Sequence, residues 1–135
     1  MTEEFTFHLA IPANNLKKSI HFYEDLGCEI GRTSDKFAIL KFYGHQVVIH
    51  KTDEVIKKPK MYPRHFGIIM SSYYDFINLY SYWKNMESLE DCMFEKHFIR
   101  YKDKEEEHET FFLKDPSNNL IEFKWYKNKS AVFGK

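Results

Sequence analysis

The sequence predicts an α+β protein made of two βαβββ modules in tandem. Three observations predict it. Strand-type alternation over residues 5–11 is followed by helical spacing and then by three short β-type runs; the same order restarts near residue 64; and a shift of 57 residues lays His8 on His65, Phe22 on Leu79, Tyr23 on Tyr80 and Leu26 on Trp83. Self-similarity at a fixed offset is the signature of one supersecondary unit used twice.

In the first module, Phe5, Phe7, Leu9 and Ile11 alternate with Thr6, His8 and Ala10, the pattern of a strand with two distinct faces, and Pro12 is expected to end it. Asn14 and Asn15 offer side-chain oxygens to the first N–H groups of a helix. Leu16, Ile20, Tyr23 and Leu26 recur at the helical repeat, and Gly27 suits the left-handed residue that closes it. Three β-type runs follow at 28–32, 36–43 and 46–51, separated by Thr33-Ser34-Asp35 and by Gly44-His45.

Residues 53–62 are Lys-rich, contain Pro59 and precede Pro63, so they read as a solvated connector. The second module then runs as a strand over 64–70, a cap at Ser71-Ser72, and a helix whose buried side is Phe76, Ile77, Leu79, Tyr80 and Trp83, ending near Asn85. Strands over 93–101, 110–114 and 120–126 complete it, joined by a charged hairpin at 102–108 and by Asp115-Pro116-Ser117-Asn118-Asn119, a tight reversal. The expected organisation is one domain over 1–135, with module 1 at about 4–52, the linker at 53–62, module 2 at about 63–126 and a tail at 127–135.

Composition excludes several function classes. The chain has 135 residues, 43% of them hydrophobic and 18% aromatic, enough large apolar surface for a core of its own. Twenty basic residues balance twenty acidic ones, so no global field draws the protein to nucleic acid or to an anionic membrane. The start Met1-Thr2-Glu3-Glu4 is acidic, and no apolar run approaches the ~18 residues of a spanning helix, which points to a cytoplasmic protein. Cys28 and Cys92 form no CxxC pair and fit a reducing compartment as core fillers.

Three segments carry a family resemblance: Phe7-His8-Leu9-Ala10-Ile11-Pro12 with Leu16 through Leu26-Gly27; His65-Phe66-Gly67; and Asp115 through Asn119 with Leu120-Ile121-Glu122-Phe123. They resemble the vicinal oxygen chelate superfamily of glyoxalase I, extradiol dioxygenases, and fosfomycin and bleomycin resistance proteins. Within it, residues 42–50, 98–101 and 110–113 are similar to those of small extradiol-dioxygenase-like proteins. The resemblance implies that the paired modules form an open, curved, mixed β-barrel with helices packed outside and a divalent metal within. It places the metal ligands on His8, His65 and Glu122. Glyoxalase I has a further ligand where this chain has Val48, which cannot bind metal, so the three-ligand arrangement of the dioxygenases is favoured. Homodimerisation is implied by the same analogy.

Read from the residues themselves, a single histidine in a strand is by default structural. His8, however, lies on the opposite face from Phe7 and Leu9, it recurs at the matching point of the second copy, and Glu122 sits between Ile121 and Phe123, where an isolated charge would be costly. A shared cation explains all three. Two imidazoles and one carboxylate leave positions open for substrate oxygens and suit Fe2+ or Mn2+, with Ni2+ or Zn2+ as further candidates. Alternation puts Gln46, Val48 and His50 on one face; Gln46 and His50 are candidates to contact substrate or to move a proton, or else are polar residues of the wall. Arg100 either grips a substrate carboxylate or pairs with Glu109 across a hairpin. Lys124 falls on the rim, and His21, His97 and His108 fall outside the ligand set. The expected function is a metal-dependent enzyme, dioxygenase-like or a lyase/isomerase, acting on a small substrate that chelates the metal through vicinal oxygens. The competing reading is a metal-free binding protein of the bleomycin-resistance type.

Overall fold

Strand β1 (His8–Ala13) leads through two residues into helix α1 (Leu16–Asp25), and strands β2 (Glu29–Thr33), β3 (Phe37–Phe42) and β4 (His45–Lys51) follow. In this computed structural model residues 4–86 and 91–134 are described; Met1–Glu3 of the acidic start lie outside the described residues. The Asn15 side chain accepts from Lys18 N at 3.1 Å, capping α1, and Gly27 closes it at φ +99°. The sheet has the order β1-β4-β3-β2, with β1 parallel to β4 and the other pairs antiparallel. Phe22, Tyr23, Leu40, Val47 and Ile49 are buried together with Ile11 and Ala13.

Two expectations fail at β1. Pro12 does not end the strand but sits within it, because β1 is an edge strand and the missing N–H falls where no neighbour needs it. The strand does not begin at Phe5: Phe5 and Phe7 precede it and are 81% and 62% exposed, and β1 starts at His8.

The chain divides into two compact units: Met1–Pro59 with Asp115–Asn119, and Lys60–Lys114 with Leu120–Lys135. The reversal at 115–119 is thus built into the first unit. Asp115, 2% exposed, accepts from Tyr23 Oη at 2.7 Å, Ser117 N at 2.9 Å, Asn119 N at 2.9 Å and Asn119 Nδ2 at 2.8 Å. Asn119 Nδ2 also donates to Pro12 O at 2.9 Å, and Ser117 Oγ accepts from Asn14 N at 2.9 Å.

The second unit repeats the plan with β5 (Phe66–Ile69), α2 (Tyr73–Asn85), β6 (Met93–Arg100), β7 (His108–Lys114) and β8 (Leu120–Tyr126), in the order β5-β8-β7-β6. Ser72 Oγ caps α2 by accepting from Asp75 N at 3.2 Å. Alternation divides the sheet's faces. Phe111 and Phe123 stack at 5.2 Å on the side where Phe76 and Tyr80 of α2 meet Phe111. Thr110, Phe112, Glu122 and Lys124, one residue out of phase with them, share the opposite face. Strand β7 starts at His108, two residues before the expected point, and the tail carries a short 3-10 helix, Lys129–Phe133, that periodicity does not reveal. Gly67 is required by close approach: a Cβ there would lie 1.8 Å from Glu122 O. Among the described residues no helix is long and apolar enough to cross a membrane.

Candidate metal centre

The pairing of β5 with β8, which sets Gly67 opposite Glu122, brings His65 to the carboxylate: His65 Nε2 lies 3.0 Å from Glu122 Oε1. The other ring nitrogen, Nδ1, lies 2.5 Å from the Met61 carbonyl oxygen. A carbonyl only accepts, so Nδ1 carries the hydrogen and Nε2 of the neutral ring presents a lone pair to a carboxylate oxygen. Two acceptors facing each other need a positive centre to hold them. A proton on His65 supplies one; a metal ion supplies another. Two ligand atoms bound at about 2.1 Å and at right angles stand about 3.0 Å apart, so the observed spacing fits a metal. Thr110 Oγ1 donates to Glu122 Oε2 at 2.7 Å, which fixes the carboxylate, and the rings of Phe112 and Tyr62 meet His65 edge-on at 5.2 and 5.6 Å. An oriented ring with an anchored second nitrogen is the usual support of a metal-binding histidine.

In the first unit His8 is prepared in the same way. Its Nδ1 lies 2.7 Å from Gln46 Oε1, its register partner across β1 and β4, so Nδ1 donates and Nε2 keeps its lone pair. Gln46 therefore holds His8. Among the described residues no group of three His, Cys, Asp or Glu side chains is arranged to hold a metal ion. The pair brought together is His65 with Glu122.

The other sequence-predicted residues are placed as follows. His50 is exposed at the end of β4, tilted against Phe37 at 6.4 Å, and shares the face of Gln46 and Val48. His45, on the other face, accepts from Phe7 N at 3.1 Å. A cleft of ≈ 380 Å³ in the first unit is lined by Thr6, Glu29, Gly31, Ile39, Lys41 and Gln46, among others. Arg100 does not pair with Glu109. Glu109 lies beneath α2, where Tyr73 Oη donates to it at 3.0 Å and His97 Nε2 lies 2.5 Å away. Arg100 instead stands opposite His108, its guanidinium 5.1 Å from the Phe98 ring and 5.9 Å from the Tyr62 ring. The reading of the sequence left out His108 and set Lys124 on the rim, although their even numbers put them in phase with Glu122. Burial pushes the His108 proton affinity below the ordinary imidazole value; a hydrogen bond to the Glu106 carbonyl and the charge of Glu122 oppose this, and the charges of Lys124 and Arg100 reinforce it.

Tandem βαβββ units, each a four-stranded mixed sheet with one helix, place the chain among two-module α+β proteins. The chain belongs to the Glyoxalase/Bleomycin resistance protein/Dioxygenase superfamily, whose profile matches residues 6–123. A glyoxalase/bleomycin resistance protein/dioxygenase from Alicyclobacillus acidocaldarius is similar to it in structure, with 41% identity over 95% of this chain and 96% of the other and a TM-score of 0.86. The fosfomycin resistance protein FosX from Listeria monocytogenes shares the fold at 16% identity, covering 96% and 99% of the two chains with a TM-score of 0.70. A lactoylglutathione lyase from Agrobacterium tumefaciens does so at 14% identity, covering 92% and 95%, with a TM-score of 0.66. A search of curated proteins found no match.

Proposed function

We infer that the protein is a small metal-dependent enzyme, dioxygenase-like or a lyase/isomerase, whose substrate chelates the ion through adjacent oxygens. His65 and Glu122 hold the metal together with His8, which is supplied by this chain or by a second copy of it in a homodimer. Fe2+ and Mn2+ suit two imidazoles and a carboxylate with open positions, and Ni2+ or Zn2+ are the next candidates. The bound ion would act as a Lewis acid toward substrate oxygens. Gln46, the Met61 carbonyl and Thr110 orient the three ligands, and His50, exposed on the face of Gln46, is the candidate to move a proton. The reading includes a cytoplasmic location.

The observation that supports this reading is the 3.0 Å contact between His65 Nε2 and Glu122 Oε1, with the other ring nitrogen held by the Met61 carbonyl. Metal analysis of protein purified without chelator tests it. Stoichiometric transition metal is expected in the wild type and is lost in His65→Ala and Glu122→Ala. Folded variants that keep the metal sink the assignment, and a metal-free wild type that binds aromatic ligands points to the bleomycin-resistance type of binder.

A further inference from the structure

We propose that the second sheet carries an oxyanion clamp, formed by Arg100 and Lys124 flanking His108, which holds a carboxylate or phosphonate at the end of the substrate away from its chelating oxygens. The location next to the metal rests on the metal-enzyme reading; the clamp itself rests on residues of the second unit alone.

The three residues come from three adjacent strands and converge by register. Arg100 of β6 stands opposite His108 of β7, His108 opposite Tyr126 of β8, and Lys124 of β8 opposite Thr110 of β7. All lie in phase with Glu122. Their rings and charges confirm the approach: His108 packs on Tyr126 at 4.7 Å, and Lys124 Nζ sits 5.1 Å from the centre of that same ring.

Among the described residues no carboxylate stands at ion-pair distance from either cation, although carboxylates are near in sequence. Glu109 is turned to the other face and engaged by His97 and Tyr73; Glu107 accepts from Asp103 N and lies 3.9 Å from Lys127; Glu122 is engaged by His65 and Thr110. Arg100 and Lys124 are half-buried cations on one face of the sheet, and an anion arriving between them would be attracted by both.

Arg100 is also held in readiness. Its guanidinium lies over Phe98 and near Tyr62, and Tyr62 is in turn the ring that meets His65 edge-on. One aromatic residue thus touches both the anchor for the anion and the candidate metal ligand. A fixed planar guanidinium loses little freedom on gripping two oxygens. The aromatic surroundings favour an organic acid over a bare inorganic ion.

The test is isothermal titration of the full-length chain after chelator treatment, with phenylphosphonate and benzoate as probes. Saturable binding of at least one probe is expected, weakened by high salt. Arg100→Gln and Lys124→Gln should each weaken it by about 10-fold or more, while Lys17→Gln, on α1, should change it by less than about 2-fold. A preference for phenylphosphonate or for benzoate tells a tetrahedral from a planar group. Thermal melting selects folded variants, and either of the two suffices. Absence of saturable binding by both probes, or binding unchanged in both variants, overturns the clamp. Because no metal is present, failure here leaves the metal assignment standing, and a metal-free enzyme leaves the clamp standing.

Discussion

Tyr23→Phe isolates the contact that builds residues 115–119 into the first unit. Tyr23 is fully buried and donates to Asp115 Oδ2 at 2.7 Å, and Asp115 is itself 2% exposed. Removing the hydroxyl leaves the carboxylate with three donors in place of four: Ser117 N, Asn119 N and Asn119 Nδ2. A hydrogen bond to a charged group contributes about 1.5–3 kcal/mol, so this loss is expected at neutral pH. The ring remains, so no cavity contribution adds to it.

The same variant makes a pH prediction whose sign is fixed. Burial holds the Asp115 carboxyl above its ordinary value, partly opposed by the hydrogen bonds from Asn119 and Tyr23. Between the ordinary and the raised value the folded chain keeps a proton that the unfolded chain has released, so stability falls as pH rises through that window. Without the Tyr23 hydroxyl the folded value rises further and the window widens upward. The difference between variant and wild type should therefore be largest at neutral pH and shrink toward about 1 kcal/mol in acid, where a neutral carboxyl loses a neutral partner. Urea titrations at pH values above and below the window measure both curves. A difference under about 0.5 kcal/mol at neutral pH, or one that grows as pH falls, would refute the assignment of Asp115 as a buried, hydrogen-bonded carboxylate.

Three further outcomes are expected. Gly67→Ala should destabilise by about 2–3 kcal/mol or more, since its Cβ would meet Glu122 O at 1.8 Å and β5 would have to move off β8; an alanine variant of wild-type stability contradicts the register. Gln46→Leu should leave the melting temperature nearly unchanged, because the pair it breaks is at the surface, yet weaken metal binding about 10- to 100-fold by freeing the His8 ring. An unchanged metal affinity removes Gln46 from the site. His108 takes up a proton less readily folded than unfolded, so its contribution is fully present above the ordinary value of 6.5 and is lost as pH falls below it; His108→Gln should flatten that part of the stability curve, and a curve of unchanged slope speaks against it.

What was legible in the sequence is what repeats locally. Alternation and helical spacing gave every strand and both helices, with shifts of a few residues at their ends, because each depends on neighbours one to four residues away. The partners that prepare the site are of another kind. The His65 ring is oriented by the Met61 carbonyl, in a stretch read as mere connector, and a backbone oxygen has no letter in the sequence. The Asp115 carboxyl finds Tyr23, 92 residues away, and nothing in the pattern of a turn announces that distance. The exposed Phe5 and Phe7 mark the converse limit, since alternation continues there without a sheet beneath it.

Arg100 shows how two local irregularities decide which residue a side chain faces. From Met93 opposite Leu113, the pairing of β6 with β7 slips between Met93 and Glu95 and again between Glu95 and Phe98. Continued without those slips, the first register would set Arg100 against Glu106, in the charged hairpin, where an ion pair would have neutralised it. With them, Arg100 faces His108, while the alternation of β7 itself carries Glu109 beneath α2 to His97 and Tyr73. Each slip of one residue exchanges the faces of a strand, so the two together return Arg100 to its original face and shift its level from Glu106 to His108. The place of Arg100 opposite His108, in phase with Glu122, is therefore a product of the bulged strand, which is why periodicity does not reveal it.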